Sequence, residues 1–150
     1  MTDVYFDGLC QPTNPGGIAC YAFVVKRQGR TIFSDYGLAA EPFSKDATNN
    51  VAEYTALIKA LEWLIASGLN DAPVKIFSDS RLVVSQLGGD FKVKSKRIIP
   101  LYRRVQELKD SFKAMQIRWV PRAENREADG LTNKAYTEAL KKNPAYRKRI

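Results

Sequence analysis

Val4 and Phe6 alternate with Tyr5 and Asp7, and this period of two predicts a first strand ending near Asp7. Ile18 to Arg27 is strongly apolar and reads as a second strand. Gln28-Gly29-Arg30 is a turn, and Thr31 to Leu38 completes a three-stranded antiparallel meander. Beyond a Pro42-containing loop from Ala39 to Thr48, the period lengthens. A helix is predicted from near Asn50 to Ser67, stopped by Gly68. Val74 to Phe77 is a short strand, and a helix follows from about Ser80 to Leu87, broken by Gly88-Gly89. Pro100 sits in the first turn of a further helix ending near Lys113. Met115 to Val120 is the last strand. Asn125 is the expected N-cap of a final helix reaching about Asn143, and Pro144 to Ile150 reads as a frayed basic tail.

This order, β-β-β-α-β-α-α-β-α, calls for an α/β fold with a mixed five-stranded sheet and helices packed on its faces. A right-handed crossover through the long helix lays the fourth strand beside the first and parallel to it. The ends of those two strands, Asp7 and Asp79, then share one edge of the sheet. Open sheets of this kind place their working sites beyond the carboxyl ends of parallel strands.

Composition narrows the chemistry more than the class. A chain of 150 residues, 45% hydrophobic and 27% charged, is the size of one ordinary domain, with no internal repeat or linker. The absence of a long apolar run or an export leader at Met1, with only Cys10 and Cys20, leads us to expect a soluble cytoplasmic protein with reduced thiols. There is no histidine at all. That excludes Ser-His-Asp and Cys-His catalysis, H-E-x-x-H zinc sites and any imidazole base. Charge is divided: residues 1–91 hold 7 Lys+Arg against 10 Asp+Glu, net −3, and residues 92–150 hold 17 against 6, net +11. A basic half beside an acidic half suits a polyanion held at one surface and worked on at another.

Four carboxylates stand out. Asp7 and Asp79 end apolar runs rather than sitting in turn-rich loops, and Glu53 falls on the helical stripe of Leu57, Leu61 and Leu64, where a core residue is expected. Asp129 lies in the first turn of the final helix. Each has an ordinary alternative: Asp79 as a helix cap, Asp129 as a complement to the helix dipole, Asp7 as the start of a turn, Glu53 tucked against a lysine. Together they converge on one sheet edge without an evident basic partner. Hard divalent cations, magnesium above all, fit such a cluster.

The stretches Tyr5-Phe6-Asp7-Gly8, Thr48-Asn49-Asn50-Val51-Ala52-Glu53, Phe77-Ser78-Asp79-Ser80 and Glu124-Asn125-Arg126-Glu127-Ala128-Asp129 resemble, in order, the four catalytic blocks of ribonuclease HI. The short Gly88 to Pro100 region and the Trp119-Val120-Pro121-Arg122 turn look most like the archaeal-type branch. The resemblance implies the ribonuclease H-like fold across 1–150, with strands four and five parallel to strand one. It implies hydrolysis of the RNA strand of RNA–DNA hybrids by a monomer. It also implies two Mg2+ ions, Mn2+ being a substitute, held by Asp7, Glu53, Asp79 and Asp129. Asp7 would bridge both ions, with Glu53 and Asp79 on one and Asp129 on the other. Two metals on either side of the phosphorus need no protein base, which answers the missing histidine.

The resemblance also assigns recognition of the 2′-hydroxyl to Asn14, Asn49 and Asn50, and a DNA-strand phosphate to Thr48. In the bland alternative, Asn14 belongs to a turn, and Asn49 or Asn50 caps the long helix. The chain departs from the family at four points. The basic protrusion is reduced to residues 88–97, where Lys92, Lys94, Lys96 and Arg97 are the candidate grip. Arg81 stands where an amide is frequent, and Asp46 where some relatives carry an arginine beside the phosphate pocket. The mobile histidine near the last aspartate is missing, leaving Arg122 as the candidate for product release, or as a surface partner of Glu124. Tyr21, Phe23, Tyr54 and Trp63 are expected in the core. Two other readings share these residues. A non-catalytic nucleic-acid-binding module would be marked by a broken acid set. A DNA-cleaving resolvase or transposase relative is disfavoured by Asn49-Asn50 before Glu53.

Overall fold

The second strand is buried along nearly its whole length, and its position explains why. In the computed structural model, which describes residues 1–150, five strands form one sheet in the order β3-β2-β1-β4-β5. The strands are β1 (Thr2–Gln11), β2 (Ile18–Arg27), β3 (Arg30–Leu38), β4 (Val74–Ser78) and β5 (Met115–Trp119). The helices are α1 (Asn49–Ala66), α2 (Arg81–Leu87), α3 (Ile99–Lys109) and α4 (Arg126–Lys142). The meander is antiparallel, while β4 runs parallel to β1 and β5 parallel to β4. Gln28 and Gly29 both take positive φ, 54° and 75°, as a two-residue turn that matches the strand twist requires.

Helices cover both faces. Leu57, Leu61 and Leu64 of α1 pack on Val4, Phe6, Phe23, Val25 and Ile76, with α3 adding Val105 and Leu108. On the other face, Ala135, Ala139 and Leu140 of α4 cover Ile18 and Cys20. Tyr21, Phe23 and Tyr54 are buried as expected, and Trp63 stacks on Phe33 with ring centroids 4.3 Å apart at the rim of the larger core. No helix is long and apolar enough to cross a membrane.

Several local expectations need correction. β1 does not end near Asp7, because antiparallel pairing with β2 carries it on to Gln11 opposite Ile18. Its parallel pairing with β4 stops earlier, at Tyr5 opposite Phe77, so Asp7 lies where the two strands part. The N-cap of α1 is Thr48, whose hydroxyl accepts from the Val51 N–H at 3.0 Å, rather than Asn49 or Asn50. Ser80, not Asp79, caps α2 by accepting from Val83 N–H. α3 ends at Lys109, short of Lys113. Residues 144–149 do not fray: they form a 3-10 helix in which Tyr146 meets Phe43 edge-on and Arg149 lies over the same ring. Cys10 is opposite Ala19 and Cys20 opposite Leu9, so the two free thiols occupy different faces of the sheet.

Candidate active site

The site forms because α1 comes very close to β1 at one residue. A Cβ added to Gly8 would lie 2.4 Å from the backbone nitrogen of Glu53 and 2.7 Å from the carbonyl carbon of Ala52. Only glycine permits that approach, and it delivers the Glu53 carboxylate from the helix to Asp7 on the strand. Asp79 reaches the same point from the end of β4. Carboxylate oxygens of Asp7, Glu53 and Asp79 all lie within 4.8 Å of one another.

Asp129 completes the set less tightly. It lines the same cleft, of about 360 Å³, but falls outside the close trio and pairs with Arg122 at 3.6 Å. Its helix is fixed by Asn125, which is buried and donates its side-chain amide to the Phe6 carbonyl at 2.9 Å. Asn125 stands at the N-cap position of α4 yet makes no capping bond, because its amide ties the helix to β1 instead. That anchoring role was not legible in the sequence, where an asparagine before a helix signals a cap.

The electrostatics of the cluster are unfavourable by themselves. Burial and the neighbouring Asp79 and Asp129 charges push the Asp7 carboxyl from 3.8 up to about 8. Glu53, almost wholly enclosed, is driven well above the ordinary carboxylate range by desolvation and then by Asp7 and Asp79. Asp79 is also raised, chiefly by burial, although Arg122 and the Asn125 amide oppose the rise. One Glu53 oxygen, Oε2, is buried without any hydrogen-bond partner. A buried carboxylate oxygen with no donor, facing two further carboxylates, is the donor set a hard divalent cation satisfies. Asp7, Glu53 and Asp79 therefore fit such an ion, with Asp129 lining the same cleft, and the lysine partner considered for Glu53 is absent.

The other candidate residues distribute around this cleft. Asn49 lines it, and its backbone N–H donates to Asn14 Oδ1 at 3.1 Å, locking the β1–β2 loop to the start of α1. Thr48 and Asn50 are the residues immediately before and within that first turn, with Thr48 occupied as the cap. Arg97 bonds Asp46 at 2.9 Å, so a cation from the α2–α3 connection reaches the loop that precedes α1. Lys94 and Lys96 are exposed on that irregular connection, and neither lines the acid cleft. Arg81 lies over the Trp119 ring, its guanidinium carbon 3.8 Å from the centroid. Arg122 pairs with Asp129, not with Glu124. Ser80, from the block around Asp79, also lines the cleft, as does Asn133, a mid-helix amide that carries no distinguishing pattern in the sequence.

Similarity to known proteins follows the same residues. Residues 6–135 match the family model described as reverse transcriptase-like. The ribonuclease HI of Halobacterium salinarum is 37% identical over 137 residues, 90% of this chain and 64% of that protein. A bifunctional protein of Mycobacterium tuberculosis is 44% identical over 93 residues, 62% of this chain and 25% of the relative. The chain thus spans less than two thirds of the length of either relative. Among solved structures, LC11-RNase H1 in complex with an RNA/DNA hybrid superposes with a TM-score of 0.83 at 32% identity, covering 93% of this chain and 99% of that one.

Proposed function

The chain belongs to the type 1 ribonuclease H family, and from that premise we propose that it hydrolyses the RNA strand of RNA–DNA hybrids as a metal-dependent endonuclease. The observation that carries this reading is the trio of carboxylates converging within 4.8 Å around a Glu53 oxygen that nothing in the protein satisfies. Two Mg2+ ions, or Mn2+ in their place, would supply an activated water and neutralise charge at the leaving oxygen. Asp7, Glu53 and Asp79 would hold one of these ions, and Asp7 with Asp129 the other.

The protein's own residues then do three things. The four acids are carried by β1, by the residue after β4 and by the early turns of α1 and α4, so the donor set is preorganised and no side chain has to act as base. Asn14, Asn49 and Asn50 set the RNA strand by its 2′-hydroxyls, supported by the bond that already joins Asn14 to Asn49. Thr48, Lys94, Lys96 and Arg97 bind backbone phosphates, and Arg81 contacts a phosphate or base edge. Arg122, beside Asp129 and 79% exposed, draws the product phosphate away. It attracts by charge alone, because arginine does not release its proton in this pH range. The protein acts as a monomer, and its two unpaired thiols suit a reducing cytoplasm.

Incubation with hybrid, duplex DNA, duplex RNA and single-stranded RNA, each with Mg2+ or EDTA, tests the reading. Internal cuts in the RNA of the hybrid, only with metal, are expected. Cleavage of duplex DNA in preference to hybrid would overturn it, as would hybrid binding without cleavage.

A further inference from the structure

β5 is one of the two edge strands, and its side chains Gln116 and Arg118 face solvent in alternation with the half-buried Met115 and Ile117. Its last residue, Trp119, breaks that pattern: a large aromatic, 37% exposed, at the end of the sheet where the acids gather. Core packing does not explain it, because Trp119 is absent from every apolar cluster of the protein. Two contacts account for its place. The indole Nε1–H donates to the backbone carbonyl of Asp79 at 3.2 Å. The ring face carries the Arg81 guanidinium, whose carbon lies 3.8 Å from the centroid. Register puts Trp119 beside Ser78, and Val120 N–H donates to the Ser78 carbonyl at 2.9 Å, so the strand end is fixed against the residue preceding Asp79.

We propose that Trp119 is a positioning residue of the active site, acting through Asp79 and Arg81 at once. The inference rests on Asp79 being a metal ligand and on the hybrid being the substrate. The Asp79 carbonyl belongs to the peptide between a strand and the first turn of α2, a place where the chain changes direction. A donor on that carbonyl restricts the rotation that would swing the Asp79 carboxylate out of the trio. Arg81 has no carboxylate partner within the protein. Stacked on the indole, its guanidinium keeps one face covered while its in-plane N–H donors stay free. Such a fork is ready for a phosphate or base edge and has already lost the rotamer freedom that binding would otherwise remove.

Variants separate the two contacts. Trp119→Phe keeps a ring face and removes the N–H. Trp119→Leu removes both, and Arg81→Leu removes only the cation. Hybrid affinity is measured in EDTA at low salt, where the metal contributes nothing. Metal affinity is measured without substrate, as the Mg2+ concentration giving half-maximal thermal stabilisation. Trp119→Phe is expected to raise that Mg2+ midpoint about fivefold, the scale of one hydrogen bond, and to leave hybrid affinity within about twofold. Trp119→Leu is expected to raise the midpoint similarly and to weaken hybrid binding about threefold, the scale of an exposed cation–π contact. Arg81→Leu should weaken binding by at least as much without moving the Mg2+ midpoint. Adding Trp119→Leu to Arg81→Leu should then cost no further affinity. Two results would overturn the proposal: an unchanged Mg2+ midpoint in Trp119→Phe, or hybrid-binding losses that simply multiply in the double variant. If Mg2+ fails to stabilise the parental protein, the metal reading itself falls, and the role of Trp119 falls with it.

Discussion

The acid cleft and the basic connection between α2 and α3 are both assembled from charged side chains, yet they are built in opposite ways. Asp7 sits within β1 just past its pairing with β4, Asp79 directly follows β4, and Glu53 lies in the second turn of α1; all three are partly or wholly removed from water, and they repel one another. Residues 88–97 lie on an irregular, exposed segment where the one ion pair, Arg97 with Asp46, joins side chains that are 37% and 72% accessible. Fixed elements hold the groups whose spacing decides chemistry. A solvated segment holds the groups whose charge alone matters, because phosphate neutralisation tolerates imprecise placement. The first arrangement costs stability and tolerates no change, whereas the second costs little and can be shortened.

The sharpest way to break this contrast is at the acids. Asp79→Asn conserves shape and removes one charge, so hydrolysis of hybrid in Mg2+ should fall about a thousandfold or more, the several kcal/mol that metal catalysis contributes. The same variant should melt at a higher temperature than the parent in EDTA, since one repulsive partner is gone. Hydrolysis near the parental rate would place the chemistry elsewhere.

Next in size is the close approach that builds the cleft. Gly8→Ala drives a methyl group into the backbone of Ala52 and Glu53, and backbone cannot yield as a side chain can. Destabilisation of about 3 kcal/mol or more is expected in chemical denaturation, the upper range for overpacking. Any protein that remains folded should need more Mg2+, because Glu53 is displaced from Asp7.

Changes to the basic segment should be graded rather than abolishing. Replacing Lys94, Lys96 and Arg97 together by alanine should flatten the dependence of log affinity on log salt by about 2 to 3, with KM rising more than kcat falls. An unchanged salt slope would make these residues a solvated face only. Smallest is Arg122→Ala, which should lower kcat several-fold with less change in KM, the scale of an exposed charge pair. Arg122→Lys should recover part of that loss. Turnover at the parental rate would leave the Arg122–Asp129 contact without a role in release.

How legible these regions were follows from the same difference. The strand order and the long helix were readable because their periods differ and because glycines mark their ends. Glu53 was readable because a carboxylate on a stripe of leucines has no cheap explanation. Apart from the choice of cap at Thr48, what the sequence does not show depends on partners distant in it. Asn125 looks like a cap and instead reaches 119 residues back to the Phe6 carbonyl. Thr48 looks secondary beside two asparagines, yet it alone meets the Val51 N–H. The basic tail looked frayed because charge runs usually are, but Tyr146 and Arg149 find Phe43 on a loop a hundred residues earlier. The pairing of Arg97 with Asp46 spans 51 positions and two irregular segments, where no periodicity exists to read.

The central claim is that the fold holds these acids together at a cost that a divalent cation removes. Thermal melting of the parental protein from pH 4.5 to 8.5, in EDTA and in Mg2+, tests it directly. Asp7 titrates near 3.8 when unfolded and near 8 when folded, so across that window the folded state binds more protons than the unfolded one. Stability contributed by the protonated carboxyl is therefore complete below the unfolded value and is lost as pH rises towards 8. Glu53 and Asp79, raised in the same direction, add to the fall. The expected result is a melting temperature that declines with rising pH in EDTA and is restored by Mg2+ most strongly at the alkaline end. A flat profile in EDTA, with no response to Mg2+ at pH 8, would contradict the claim.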